Sequence, residues 1–420
     1  MMKLANEAAN GNSELLFVDF NQDSGCFACG MTNGFVIYNV DPFRETFRRV
    51  FPNGGIGIVE MLFRCNLLAI VGGGRNPRYP PNKVMIWDDH QNKCIGELKF
   101  RTEVYAVKLR RDRVVVVLES KVFVYRFKDL KLLDQITTVA NPKGLISLCA
   151  EPKNNVLAIP GLAKGSIRIE LYDISKATLI KAHDTDLAQF ALNADGSRIA
   201  SASEKGTLIR IWNCHTGEPM RELRRGMDKA EIYCICFNQA STFVACSSDK
   251  GTIHIFSLAG AGIPPGAVQT IDSYGNRRYV NPNAGGEEAD ASTQSTDASS
   301  NSASNKGIGG AGITFLKNIL PTSLVPKYLD SEWSCAQVRG IEGRSICAFS
   351  KDSSRIITVC ADGTFIISSF EEGGDCPRIS TAKFCKSTEE MHAPVDAEDA
   401  RNWANSGPVA AGGVGATRDA

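Results

Sequence analysis

Leu223-Arg224-Arg225-Gly226 sets two guanidinium groups side by side in a segment that otherwise reads as sheet. Both stay charged near neutral pH. Neighbouring side chains of an extended chain point to opposite faces, so Arg224 and Arg225 address two different pockets, one on each side of the strand. The flanks carry matching chemistry. Upstream runs Ser201-Ala202-Ser203-Glu204-Lys205-Gly206-Thr207-Leu208-Ile209-Arg210, and downstream Ser247-Ser248-Asp249-Lys250-Gly251-Thr252-Ile253-His254. Each is a cassette of hydroxyls, a Gly-Thr turn and a basic residue two or three places on. Hydroxyls, glycine amides, imidazole and guanidinium together are the donor set that a phosphate requires. The pattern reads as two phosphate pockets sharing one Arg-Arg hinge.

The elements that must position these groups repeat. An apolar strand, a polar turn, a second apolar strand, a glycine-containing turn and a third strand recur over 15–40, 61–88, 104–127, 145–174, 187–213, 232–256 and 345–370. Aligning the end of each first strand selects Phe20, Phe63, Leu109, Ala150, Leu192, Phe237 and Phe349, with spacings of 43, 46, 41, 42, 45 and 112 residues. Blades of WD type repeat at about 40–45 residues, so the last spacing contains an insertion of roughly 70. The economical architecture is all-β: a seven-bladed WD-type β-propeller over 15–371, whose closure hides its sheet edges. Residues 1–14 are expected to be a flexible N-terminus and 372–420 a disordered, Gly- and Ala-rich tail.

The insertion occupies about 259–330, inside blade six. Its middle, 281–305, holds no apolar residue larger than alanine and is expected to be disordered. Beyond it, Ile313, Leu316 and Leu320 stand at i, i+3, i+7, and Phe315 and Ile319 at i, i+4. That is a short amphipathic helix pattern ending at Pro321, and it reads as a membrane-seeking patch. Leu324 onward reads either as more of that patch or as the outer strand of blade six.

Composition narrows the function classes. Lys plus Arg number 47 against 46 Asp plus Glu, a net charge of +1, so an anionic ligand must be held by a local site, not a basic surface. Lys108, Arg110, Arg111 and Arg113, interrupted by Asp112, read as a solvated hairpin; no nucleic acid partner is expected. The 14 cysteines lie scattered in apolar runs and read as reduced and buried. Cys26 and Cys29 sit three apart in a strand, on opposite faces, which argues against a metal or redox pair. No Walker, His-Glu-x-x-His or Gly-x-Ser-x-Gly motif is present, so neither catalysis nor a cofactor is expected. Without a signal-peptide pattern or an apolar run of about 20 residues, a cytoplasmic location is expected.

The repeat count, the Leu-Arg-Arg-Gly hinge and the blade-six insertion together resemble the PROPPINs, the WIPI-type phosphoinositide-binding propellers of autophagy. Phe20-Asn21-Gln22-Asp23, Phe63-Arg64-Cys65-Asn66, Pro80-Pro81-Asn82-Lys83-Val84-Met85-Ile86-Trp87-Asp88-Asp89 and Lys108-Leu109-Arg110-Arg111-Asp112-Arg113 look like the branch of the third and fourth mammalian WIPI proteins. The insertion is longer than that branch suggests. The resemblance implies sites for phosphatidylinositol 3-phosphate and the 3,5-bisphosphate. Carried onto matching positions, the first uses His183, Ser201, Ser203, Gly206, Thr207, Arg210 and Arg224, and the second Arg225, Gly226, Ser248, Thr252 and His254. It further implies a monomer recruited to autophagosomal and endosomal membranes, with Asn21 and Asp23 contacting an autophagy lipid-transfer protein. Each assignment has a structural counterpart. The hydroxyls can serve blade turns, His183 can be the structural histidine of a WD blade, and Asn21-Gln22-Asp23 can be a tight turn. A propeller that binds only proteins is the competing reading.

Overall fold

Among the described residues, seven sheets of four or five strands follow one another along the chain, antiparallel except where Glu332–Trp333 joins blade five and Gly374–Asp375 joins blade six in parallel. The structure, a computed structural model, describes residues 1–4, 14–258, 332–371 and 373–384, with the backbone alone of Val268–Ile271 and Arg277–Val280. The first strands of the seven blades are Leu15–Phe20, Ile56–Met61, Ala106–Arg110, Ser147–Leu148, Leu187–Leu192, Ile232–Phe237 and Ser345–Phe349. They face one another around a central channel. The seven-bladed propeller expected from the repeat is the observed fold.

Burial explains why the inner strands were legible. Val114–Val117 lie within Arg113–Val117, all buried, because neighbouring blades cover both faces of the sheet. Outer strands are covered on one face only: in Lys176–Lys181 just Thr178 and Ile180 are buried, and Leu179 points outward. Third strands of blades one, two, three, five and seven each shift register against the outer strand, as between Ile211 and Trp212. Such bulges deepen the local twist at recurring positions.

Both predicted ends of the propeller need correction. Met2–Lys3 is not a flexible end: it pairs antiparallel with Leu15–Phe20, opposite Val18 and Phe17. Residues 372–384 are not tail. Arg378–Lys383 is the outer strand of blade seven, paired with Thr364–Ser369, and Phe384 is buried. Among the described residues the ring therefore closes without exchanging a strand between its ends. Its seam is made of side chains: the Phe27 ring lies 5.9 Å from Phe365 and 5.3 Å from Phe384, and Phe43 4.3 Å from Phe365. The Tyr38 hydroxyl donates to the Phe384 carbonyl at 2.6 Å.

The basic run is not a solvated hairpin either. Lys108 Nζ reaches Asp19 at 2.6 Å and Glu60 at 3.0 Å in the channel wall, joining blades one, two and three. Against the cost of burial, Lys108 and the Met1 amino group hold Asp19 down to about 2. Burial outweighs Lys108 at Glu60 and pushes it up to about 7. Arg110 is buried and donates to the carbonyls of Pro152 and Asn154, while Arg111 lies over Phe63 and Arg113 over Tyr172. No described cysteine forms a disulfide, and burial pushes the Cys26 thiol up to about 11.

The expected insertion separates Thr252–Ser257 from its partner Ala336–Arg339, the third and outer strands of blade six. The outer strand thus begins after Leu324. Ile313, Phe315, Leu316, Ile319 and Leu320, the expected membrane patch, lie outside the described residues, as do 385–420.

Candidate functional site

The outer strand of blade five, Pro219–Arg224, carries the hinge. Its register sets Glu222 opposite Arg210 and Arg224 opposite Leu208. Arg210 binds Glu222 at 2.9 Å, which fixes the face on which Glu222, and hence Arg224 two residues on, must lie. The strand ends there, and Arg225 turns to the other side. Its backbone N–H donates to Thr207 O at 2.9 Å. Its guanidinium donates to Gly206 O at 2.8 Å and to the Asp228 carbonyl. The two arginines therefore lie on opposite faces. Arg225 is only 5% exposed, and among the described residues no carboxylate pairs with it.

The Gly206 turn is sterically demanded. Its φ is +63°, and a Cβ there would sit 1.9 Å from Ala230 O. Ser203 O accepts Gly206 N–H at 2.9 Å, so Ser203 is a buried anchor of the turn, with half-buried Thr207 beside it. Ser201 is fully buried. Trp212 Nε1 donates to its hydroxyl at 3.0 Å, and His183 Nε2 lies 2.9 Å from the same oxygen. Arg210 also donates to Ala182 O at 2.8 Å. Of the first set, His183, Ser201 and Arg210 are thus engaged with protein groups, the structural use weighed for His183.

Burial, reinforced by the Arg210 charge, lowers His183 to about 4, so its ring is neutral at pH 7. A base held below its unfolded pKa of about 6.5 binds fewer protons when folded, so its stabilising effect is lost as pH falls from about 6.5 towards 4. His183→Gln is expected to be about 1–2 kcal/mol less stable than the parent at pH 7, with a smaller gap at pH 5. Urea midpoints at the two pH values check this; a constant gap would place the acid sensitivity elsewhere.

On the blade-six side, Ser248 is buried and closes the next turn: Gly251, at φ +65°, donates its N–H to Ser248 O at 3.4 Å. Thr252 and His254 begin the third strand. Burial first, then the charges of Arg225 and Arg339, lower His254 to about 4. A Cβ at Gly226 would meet nothing within 4 Å, so space opens at the hinge. The structure brings Arg225 and Gly206 together where blade five leads into blade six.

One part of this region was not legible. The chain returning from the insertion lays Glu332–Trp333 parallel to the outer strand of blade five, Glu332 beside Leu223 and Trp333 beside Arg224. The next residue, Ser334, approaches His254 Nδ1 with its hydroxyl at 3.2 Å. No local pattern announces a two-residue pairing across 109 positions of sequence.

The blade-one turn lies elsewhere, at the mouth of the channel, where a cavity of about 940 Å³ is lined by Asn21, Asp23, Arg64 and Lys108 among others. Asn21 is buried, accepting Cys26 N–H at 3.0 Å and donating to Phe63 O at 3.2 Å. Asn193 and Asn238 do the same work in blades five and six, each accepting from its own turn and donating to a serine of the next blade. Asp23 is exposed and accepts from Gly25 N–H at 3.0 Å. Gln22 was missed: it donates to Met61 O and Leu109 O and accepts from Phe63 N–H, tying three blades.

Comparison with known proteins agrees with this architecture. The PROPPIN family model matches residues 14–276. Autophagy-related protein 18e of Arabidopsis thaliana is 42% identical over 254 residues, spanning 60% of this chain and 68% of the relative. The crystal structure of Hsv2 from Kluyveromyces marxianus superposes with a TM-score of 0.64 at 21% identity, over 88% of this chain and 98% of that one. The complex of KlAtg21 with the coiled coil of AgAtg16 gives 0.65 at 24% identity, over 89% and 100%. The two structures share the fold.

Proposed function

This chain belongs to the PROPPIN family, the phosphoinositide-binding β-propellers of autophagy, and from that premise we propose that it reads 3-phosphorylated phosphoinositides at two rim pockets and so reaches autophagic and endosomal membranes. The observation that carries the proposal is Arg225. A buried guanidinium without a carboxylate partner among the described residues is costly unless an anion completes it. Two carbonyls occupy part of its donor fork, and the space over Gly226 admits a phosphate that the remainder can grip. Arg224 would serve the first pocket, with the Gly206 turn and Thr207 beside it. His183, Ser201 and Ser203 would shape that pocket from behind. Ser248, Thr252 and neutral His254 would complete the second, for phosphatidylinositol 3-phosphate or the 3,5-bisphosphate.

The family is non-catalytic in general, and binding is the whole of the chemistry proposed. Among the described residues no helix is long and apolar enough to cross a membrane. One headgroup is a weak anchor, and stable attachment takes more than one signal. Ile313, Phe315, Leu316, Ile319 and Leu320 would supply the further one. The channel mouth would take protein partners, a lipid-transfer protein among them, with Asp23 presented and Asn21 fixing the turn; a related propeller has been solved with a coiled coil.

Vesicle co-sedimentation tests the reading. Wild type is expected to pellet only with vesicles carrying the 3-phosphate or 3,5-bisphosphate, Arg224→Thr/Arg225→Thr to stay in solution, and deletion of 307–320 to weaken binding. The prior engagement of His183, Ser201 and Arg210 with protein groups favours the second reading, a scaffold that binds only proteins. Identical pelleting of wild type and the double variant would establish that reading instead.

A further inference from the structure

We propose that Trp333 is a bilayer-contacting residue, held at the rim beside the first headgroup pocket by a clamp from Arg221. The inference rests on the headgroup reading above and adds a contact to the apolar part of the membrane.

Partners in a β-ladder share a face. Trp333, paired with Arg224, therefore stands on the face of the first pocket, and Glu332, paired with Leu223, on the opposite face. Arg221 lies on that opposite face and binds Glu332 at 2.7 Å. Its other terminal nitrogen donates to Leu258 O at 3.2 Å. Leu258 is where the chain leaves blade six and Glu332 is where it returns, so one arginine grips both feet of the insertion. On the far side of Trp333, Ser334 is held by His254 and by Gln337, which donates to it at 3.0 Å. Trp333 is fixed from both sides, yet 42% exposed.

Exposed apolar residues are ordinary when scattered. Here Met220, on the strand of Arg224, and Met227, directly after Gly226, are also exposed, at 44% and 69%. An indole paired with an arginine, on a hinge segment that also exposes two methionines, is an interfacial composition: the ring settles at headgroup depth while cations meet lipid phosphates. A phosphate held by Arg224 would bring its neighbour in the ladder to that depth. Continuity with the cationic hinge makes the occupant a phosphoinositide-bearing lipid surface, in preference to a protein.

The test uses the full chain and phosphatidylcholine vesicles carrying phosphatidylinositol 3-phosphate, with bromine on the acyl chains near the headgroup. In a Trp403→Phe background, tryptophan fluorescence is expected to be quenched, and Trp333→Phe to lose that quenching; Trp87 and Trp212 are buried. Trp333→Ala is expected to weaken vesicle binding about tenfold while affinity for soluble inositol 1,3-bisphosphate is unchanged, which also shows that the variant folds. Quenching that persists in Trp333→Phe, or unaltered vesicle binding by Trp333→Ala, overturns the proposal. An equal loss for the soluble headgroup overturns it in favour of a pocket-shaping role. A self-association abolished by Trp333→Ala overturns it in favour of a second copy. Wild type that binds neither headgroup nor vesicle brings down the underlying reading, and this one with it.

Discussion

Arg225→Ala is expected to lose roughly 2 kcal/mol of stability together with its lipid, whereas Arg224→Ala loses vesicle binding from a propeller whose stability changes by less than about 1 kcal/mol. The adjacent arginines differ in what they do when no ligand is bound. Arg225 is buried and donates to Gly206 O and the Asp228 carbonyl, so it ties the blade-five turn to the linker that enters blade six. Truncation leaves two carbonyls short of a donor, and a charge-assisted hydrogen bond contributes about 1.5–3 kcal/mol. Relief from burying the charge offsets part of this, which keeps the expected loss nearer to one bond than to two. Lysine at 225 rescues little, because a point charge on a flexible stem does not span both carbonyls. Arg224 ends the strand half-buried. Urea midpoints and vesicle co-sedimentation on the two single variants separate these effects. Equal destabilisation by both would show that the arginines share one structural task.

Ending the chain after residue 371 is expected to abolish cooperative folding, while ending it after residue 384 preserves it. The shorter chain lacks Arg378–Lys383, exposing the edge of Thr364–Ser369 to other chains. It also lacks Phe384, which is 3% exposed and packs on Phe27 and Tyr38 at the seam. Loss of a buried phenylalanine costs about 3–5 kcal/mol by itself, a large share of a domain's typical stability of about 5–15 kcal/mol. Thermal unfolding with size-exclusion chromatography decides the matter. A monomeric 371-residue chain with an unchanged midpoint would mean that blade seven needs no outer strand.

The same strand marks the limit of what was legible. Inner strands announce themselves because neighbouring blades cover both faces, and a buried run such as Val114 to Val117 has no polar residue to confuse it. Arg378–Lys383 has exposed residues at five of its six positions and the sixth only half-buried, so its composition is that of a loop. The hinge was readable because alternation is a local rule, and it places Arg224 and Arg225 on opposite sides whatever else the chain does. What those arginines meet is not local. Ser201 meets Trp212 across a strand pair, and Trp333 meets Arg224 only after the whole insertion has been traversed. The basic run from Lys108 to Arg113 misled for a related reason: charge suggested solvent, yet two carboxylates, several carbonyls and two aromatic rings await it in the fold.

The side-chain seam also sets a schedule for synthesis. Tyr38 and the carbonyl it must meet are 346 residues apart. At translation rates of about 5–20 residues per second, blade one leaves the ribosome roughly 20 to 70 seconds before its last neighbour exists. During that interval Phe27, Tyr38 and Phe43 present a greasy face with nothing to cover it. A propeller whose first strand was borrowed by the last blade could not begin to close any sooner, but it would hold the late arrival by backbone hydrogen bonds. This one must recognise it by the shapes of aromatic rings, so the nascent chain should depend on holding chaperones most heavily just before Phe384 emerges.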